Sequence, residues 1–264
     1  MKITVFTSNQ PRHISLINNL ASISDEVFAI QECNTVFPGE VDDFFKRSDI
    51  MQQYFRNVIS AENNYFGDIS FLPRNVRSLS IKTGDLSRLP PKVLEQAMQS
   101  DLFVVFGASY IRGWLIDELV AKKAINIHMG ISPYYRGSSC NFWALYDNNP
   151  HYVGSTIHML SKGLDSGEML YHAIPRFDGE EPFEFTMKSV KAAHESLVDR
   201  IASGKIHEMG SHKQDKTQEV RYTRNKDFDD RVAGQFLERN LSATDLGATF
   251  AEAEYPSLLH PYWY

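Results

Sequence analysis

Two cysteines, Cys33 and Cys140, are all this 264-residue chain contains. They lie far apart and neither has a CxxC partner, so free thiols are expected, not a disulfide framework or a zinc site. No apolar run approaches the ~18–20 residues needed to cross a bilayer. The opening MKITVFTSN has no long apolar segment or small-residue cleavage site of the kind that directs secretion. A cytoplasmic protein with no membrane partner is the expectation. A basic excess is missing as well. Lys and Arg number 27 against 33 Asp and Glu, for a net charge of −6. The densest basic run, RYTRNK at 221–226, is short, and no nucleic-acid partner is expected. HExxH, metal-ligating Cys/His spacings and a Walker loop are absent, so no metal is expected.

What remains is an ordinary globular composition, 42% hydrophobic and 23% charged. Residues 2–6 (KITVF) read as a buried strand. A helix follows, with Pro11 near its start and Ile14, Ile17, Leu20 and Ala21 at helical spacing. Val27 to Ile30 is a second strand, and this βαβ opening argues for a parallel sheet. The first loop, Thr7 to His13, has no glycine, so the GxGxxG dinucleotide fingerprint is excluded. It still lies between a strand end and a helix start, where a polar ligand can bind.

Residues 40–78 carry Phe44, Phe45, Tyr54, Phe55, Tyr65, Phe66 and Phe71, which suit a helix with an aromatic core face. A strand at 78–81, a helix at 91–99, a strand at 102–106, a helix at 113–120 and a strand at 124–127 follow. Strand-like YHAIP comes after Leu170, then a helix from Pro182 to Ala202. Residues 205–218 read as a polar linker and 221–264 as an aromatic-ended tail. The expected organisation is a catalytic domain at 1–204 and a linker with C-terminal extension at 205–264.

The stretch 124–170 carries the chemistry. Asn126 and His128 are two apart on a strand, so they share a face. A buried face tolerates two polar groups only if they have partners or open into a cleft. Asp165 lies between Gly163 and Gly167 in a loop that can approach a ligand closely. A lone histidine near a strand end is more often a satisfied structural group, and an Asp in such a loop can serve an Asx-turn. An Asp within reach of His128 would instead supply a base and its orienting partner, and Asn126 a neutral donor for an oxyanion. No Ser or Cys is evidently placed as a nucleophile, so direct attack by a substrate nucleophile on an acyl carbon is the implied chemistry.

Asn126-Ile127-His128 is followed by Pro133-Tyr134-Tyr135-Arg136-Gly137, Trp143-Ala144, Gly154-Ser155-Thr156-Ile157 and Gly163-Leu164-Asp165-Ser166-Gly167-Glu168-Met169-Leu170. This series resembles the N10-formyltetrahydrofolate-dependent formyltransferases, with the likeness running over roughly residues 100–175. The resemblance implies a Rossmann-like α/β core with a mostly parallel sheet, N10-formyltetrahydrofolate as formyl donor, and catalytic roles for Asn126, His128 and Asp165. It implies donor contacts at Phe106, Gly107, Ser109, Tyr110 and Ile111 and, on the opposite wall, at Lys162, Gly163, Leu164 and Gly167. Three departures stand out. Met129 replaces the family's proline after the histidine, Ile131-Ser132 replaces Leu-Leu before Pro133, and Ser161-Lys162 replaces an acidic pair.

The family includes glycinamide ribonucleotide, methionyl-tRNA and sugar-nucleotide N-formyltransferases. The tRNA enzymes carry a C-terminal barrel of about 100 residues, whereas about 44 residues follow Val220 here. The glycinamide ribonucleotide enzymes end near the core helix. The expected acceptor is therefore a nucleotide-linked 4-amino-4,6-dideoxysugar, of the GDP-perosamine or dTDP-aminosugar type used in O-antigen and lipopolysaccharide synthesis. Substrate contacts are expected at Asn9, Gln10, Arg12, His13, Tyr65, Arg74, Arg77, Tyr135, Arg136 and Gly137, with the arginines on the diphosphate. The alternatives are a methionyl-tRNA or glycinamide ribonucleotide formyltransferase, a formyl-folate hydrolase with water as nucleophile, and, more remotely, a non-catalytic folate- or nucleotide-binding module. The terminal PYWY offers either a homodimer contact or packing on its own domain.

Overall fold

Strand β1 (Lys2–Ser8) shows how the chain is layered. Successive side chains of a strand point to opposite faces. Ile3 and Val5 enter one apolar cluster and Phe6 enters another on the far side of the sheet. In the computed structural model, which describes residues 1–33, 47–68 and 70–264, this two-sided burial recurs in the strands Glu26–Cys33 and Leu102–Phe106, whereas the edge strand Val76–Lys82 is partly exposed. The expected aromatic positions Phe44 and Phe45 lie outside the described residues.

The elements follow in order: α1 (Pro11–Ser22), β2 (Glu26–Cys33), α2 (Asp49–Phe66), β3 (Val76–Lys82), α3 (Pro91–Leu94), β4 (Leu102–Phe106), α4 (Gly113–Ala121), β5 (Ile125–His128), β6 (Tyr135–Gly137), α5 (Cys140–Tyr146), β7 (Ser155–Met159), β8 (Met169–Ile174), α6 (Pro182–Ala202), β9 (Arg221–Thr223), α7 (Asp230–Glu238), α8 (Ala243–Glu252) and β10 (Tyr262–Trp263). Among the described residues the main sheet has eight strands in the order β10-β8-β7-β5-β4-β1-β2-β3. The run β3-β2-β1-β4-β5 is parallel, as the βαβ opening predicts. β7 is antiparallel to both β5 and β8. Helices α1, α2 and α6 cover one face. Leu115, Ile116 and Leu119 of α4 cover the other, against Phe103 and Val105. Burying each such Leu or Ile side chain contributes about 1.5–3 kcal/mol.

Three expectations change. The helix over 91–99 is broken: α3 stops at Leu94 and a separate 3-10 turn spans Ala97–Gln99. The Ala97 carbonyl accepts from the Thr4 hydroxyl at 2.6 Å, which ties that turn to β1. The strand expected at 124–127 is displaced by one residue, so His128 sits within β5. The aromatic tail holds two helices with readable caps. The Asp229 side chain accepts from the Val232 N–H, and Ser242 with Asp245 forms a capping box. The PYWY terminus supplies β10, paired to β8 through Tyr262 and Ala173.

Buried histidines make stability depend on pH, His13 among them, which burial holds well below its ordinary pKa. Desolvation lowers His158 and His172 to about 4 and His194 to about 3. An unfolded histidine titrates near 6.5, so below that pH the unfolded chain takes up protons that the native one refuses. Unfolding free energy is therefore expected to be level above pH 6.5. It should fall from 6.5 toward 4 by on the order of 1 kcal/mol per pH unit for each histidine. Urea unfolding at pH 7.5, 6 and 5 checks this, and an unchanged stability across that window would contradict it.

Candidate active site

The site lies where strand ends meet. β4 is buried along its length and ends at Gly107, whose φ of 63° turns the chain. A Cβ there would lie 2.5 Å from Nε2 of His13, so the turn and the close approach both require glycine. In the loop beyond, the Ser109 N–H and hydroxyl donate to the Glu32 carboxylate at 2.5 and 2.8 Å. The Gly84 N–H donates to the same carboxylate at 2.8 Å. Glu32 is 2% exposed at the end of β2 and ties two loops to the sheet edge. Sequence reading missed it, because a single acid ending an apolar run has no motif around it. Glu32→Ala would strand these donors and is expected to cost about 1–3 kcal/mol in urea unfolding. Unchanged stability would count against the staple.

On β5, register brings a further group to Asn126. Antiparallel pairing sets Asn126 opposite His158 and His128 opposite Thr156. Directly opposed residues share a face. His158 lies beside the Met159 carbonyl through Nδ1 (2.9 Å) and beside the Asn126 amide nitrogen through Nε2 (2.9 Å). Burial holds this imidazole neutral at pH 7. Nδ1 must carry its proton to serve the carbonyl, so Nε2 is an acceptor and the NH₂ end of Asn126 faces it. The same NH₂ group lies 3.4 Å from Oδ1 of Asp165. His158 too was absent from the sequence reading; its place in STIHM acquires meaning only through the β5–β7 register.

Asp165 sits at φ 43° in the β7–β8 loop. A Cβ on Gly167 would collide with the Met159 carbonyl, which holds the loop against β7. From the segment read as a polar linker, the Gln214 side-chain amide donates to the carbonyls of Asp165 and Gly167, both at 2.9 Å. Oδ2 of Asp165 is 3.5 Å from Nδ1 of His128. Nε2 of His128 faces the Tyr135 carbonyl at 3.4 Å and the Cys140 thiol at 3.5 Å. Burial pushes the Cys140 thiol up, so it stays protonated. A neutral His128 can accept from this thiol, and an imidazolium has acceptors at both nitrogens, Asp165 and the Tyr135 carbonyl. That environment suits an acceptor of a substrate proton.

His128 itself lines neither of the two cavities nearby, but its neighbours do: Asp165 lines one and Cys140 the other. One, of about 100 Å³, is lined by Ser109, Tyr110, Asn126, His158, Leu164 and Asp165. Ile111 and Gly163 also line it. The other, of about 300 Å³, is lined by Arg12, Met129, Cys140 and a set of aromatic rings. The predicted residues Phe106, Gly107, Lys162 and Gly167 support the walls of the smaller cavity without lining it. Tyr110 donates from its hydroxyl to the Lys162 carbonyl at 2.7 Å, joining the two walls, and the Lys162 ammonium pairs with Asp117 at 2.5 Å.

The expected substrate residues divide. Asn9 and Gln10 form the β1–α1 turn, and Gln10 accepts from Arg12. Arg12 lines the larger cavity but donates to the buried Glu62 at 2.7 Å. His13 is buried against Phe106, 5.0 Å between ring centroids, and its pKa is lowered by burial, then by Arg12 and His194. Tyr135 is buried, with its hydroxyl on Asp147 at 3.1 Å. Arg136 pairs with Glu219 at 2.9 Å, and Gly137 abuts the Thr223 carbonyl. The structure does not bring Arg74, Arg77 and Tyr65 to this site. Arg77 is at the amino edge of β3, 3.6 Å from Glu26, and Arg74 precedes that strand, whereas Asn126 and His128 lie toward the carboxyl edge. Tyr65, near the end of α2, packs against the apolar core and does not line either cavity.

Residues 91–201 match the formyl transferase family model. A methionyl-tRNA formyltransferase of Trichlorobacter lovleyi is 32% identical over 105 residues, 37% of this chain and 33% of that enzyme. The chain spans about a third or less of the length of the first curated relatives it matches. Among solved structures, a 4-N formyltransferase from Francisella tularensis superposes with a TM-score of 0.52 at 16% identity, over 86% of this chain and 77% of that one. An N-formyltransferase from Helicobacter canadensis, in complex with folinic acid and dTDP-3-aminofucose, has a TM-score of 0.52 at 15% identity, over 86% and 72%. These structures share the fold.

Proposed function

We propose that this chain, which carries a formyl transferase domain over residues 91–201, moves a formyl group from N10-formyltetrahydrofolate to the amino group of a nucleotide-linked 4-amino-4,6-dideoxysugar. The observation that carries the reading is the convergence of Asn126, His128 and Asp165, with Asn126 and Asp165 lining the smaller cavity and Cys140, beside His128, lining the larger. The folate is a substrate, consumed stoichiometrically. Its pterin end would lie against the wall formed by Ser109-Tyr110 and Gly163-Leu164, and the amine would approach from the larger cavity.

In this scheme the amine nitrogen attacks the formyl carbon. Asn126 donates an N–H to the oxygen that becomes an oxyanion, a contact worth about 3–4 kcal/mol of barrier. His128 accepts the proton lost by the amine, and Asp165 stabilises the resulting imidazolium. The carbon–N10 bond then breaks, N10 takes up a proton, and tetrahydrofolate and the formamide leave. Holding both substrates in line removes much of the entropic barrier.

The deoxysugar acceptor, of the GDP-perosamine or dTDP-aminosugar type, is suggested by the solved enzymes of this fold that act on amino sugars. The sequence relatives favour a second acceptor, the amino group of methionyl-tRNA. A screen of GDP- and dTDP-aminosugars, glycinamide ribonucleotide and charged initiator tRNA decides among them. The expected result is a gain of one formyl mass on an aminosugar. Formylation of the tRNA alone would overturn the sugar reading.

A further inference from the structure

The larger cavity is walled in part by the C-terminal segment. Phe228, just before α7, and Phe236, within it, line the cavity together with Tyr54 and Phe55 of α2, whose rings they meet. Phe142 and Phe183 complete the aromatic lining. Phe228 meets the Phe142 ring at 4.8 Å, edge to face, and the Tyr54 ring at 4.9 Å. This wall is fastened to the site. β9 pairs with β6 in the register Tyr135–Arg221, Arg136–Tyr222 and Gly137–Thr223. Arg221 binds Asp147 bidentately at 2.7 and 2.5 Å, and Arg136 pairs with Glu219. The loop following His128 and the segment leading to Phe228 are thus tied together.

Several of the cavity's polar side chains are already engaged within the protein. Arg12 is neutralised by Glu62. Asn141 donates to Ser189 at 2.9 Å and accepts from the Gly154 N–H at 3.1 Å, and the Thr186 hydroxyl donates to the Phe183 carbonyl at 2.7 Å. A phosphate brought here would lose water and gain no unengaged cation from Arg12, a costly exchange. At about 300 Å³ the cavity is at the low end of small-molecule sites, enough for one ring and not for a whole nucleotide sugar.

We infer that this cavity takes an uncharged ring with an apolar face, a deoxysugar that carries the reacting amine, and that the β9–α7 segment selects the ring through Phe228 and Phe236 while the diphosphate stays outside. The inference rests on the formyl-transfer reading of the site. An apolar pocket discriminates against an added hydroxyl by roughly 10–100-fold. Aromatic faces supply contact area and hold the ring's orientation.

Binding of two probes is measured by calorimetry with folinic acid present: methyl 4-amino-4,6-dideoxyglucopyranoside and its 6-hydroxy counterpart. The deoxy compound is expected to bind at least about 10-fold more tightly. Phe228→Leu and, on α2, Phe55→Leu are each expected to erase most of that preference while leaving folinic acid affinity unchanged and the protein folded. Two variants on different elements guard against one that misfolds. Equal binding of the probes, failure of both to bind, or preference retained in both folded variants, with folinic acid bound in each case, would overturn the inference and leave formyl transfer standing. Failure of wild-type protein to bind folinic acid would overturn the formyl-transfer reading and this inference with it.

Discussion

Asp165→Asn is expected to lower kcat by about 10²–10⁴-fold while leaving the KM for the formyl donor nearly unchanged. The carboxylate is 3.5 Å from Nδ1 of His128 and is the charge that favours an imidazolium there. An asparagine keeps the size and the loop conformation but removes that charge. Among the described residues, the other groups at hydrogen-bond range of His128, the Tyr135 carbonyl and the Cys140 thiol, are neutral. The proton leaving the amine would then have a poor acceptor, and the loss should fall on the chemical step. His128→Ala is expected to fall at least as far. Steady-state release of tetrahydrofolate, followed at several pH values, measures both. Turnover at the wild-type rate in either variant would remove the acid–base role.

Asn126→Ala is expected to lower kcat by about 10²–10³-fold, the range for removing one oxyanion donor. The alanine also leaves Nε2 of the buried His158 without its donor, so part of the change is structural. His158→Gln separates the two effects. That variant loosens the aim of Asn126 without deleting the donor, and it is expected to lose less in kcat than Asn126→Ala. If His158→Gln is as damaging as Asn126→Ala, the donor role of Asn126 is not the source of the effect. Acceptor KM should be little moved in either, because the oxyanion exists only in the transition state.

The parts of this molecule that could be read beforehand share a physical feature. The inner strands β1, β2 and β4 are buried on both faces, so they appear as short apolar runs separated by helical periodicity. Asn126, His128 and Asp165 were legible because their spacing falls within one recognisable series. What stayed hidden depends on pairing between distant segments. His158 becomes the partner of Asn126 only when β7 is placed antiparallel to β5. Gln214 reaches Asp165 across the fold, and Glu32 meets Ser109 between two strand ends. Arg74 and Arg77 looked suited to a diphosphate by charge alone, but nothing local states which edge of a sheet an arginine will occupy. Arg12 was placed beside the site, and its buried partner Glu62, on another helix, changes what it can bind. The helices α7 and α8 had capping residues in plain view at Asp229 and Ser242. Of the rings in the C-terminal segment, Phe228 and Phe236 line the larger cavity, whereas Tyr255 and Trp263 pack on each other.

The central claim is that the formyl carbon passes directly from the folate to an amine at Asn126, His128 and Asp165. Carbon-13 in the formyl group of the donor makes this visible by NMR. The protein is mixed with labelled N10-formyltetrahydrofolate and the aminosugar identified by the acceptor screen. The label is expected in the formamide of the sugar, appearing in step with tetrahydrofolate and abolished by Asp165→Asn. Label recovered only as free formate, with the sugar amine unchanged, would mean that water is the nucleophile and would contradict the account.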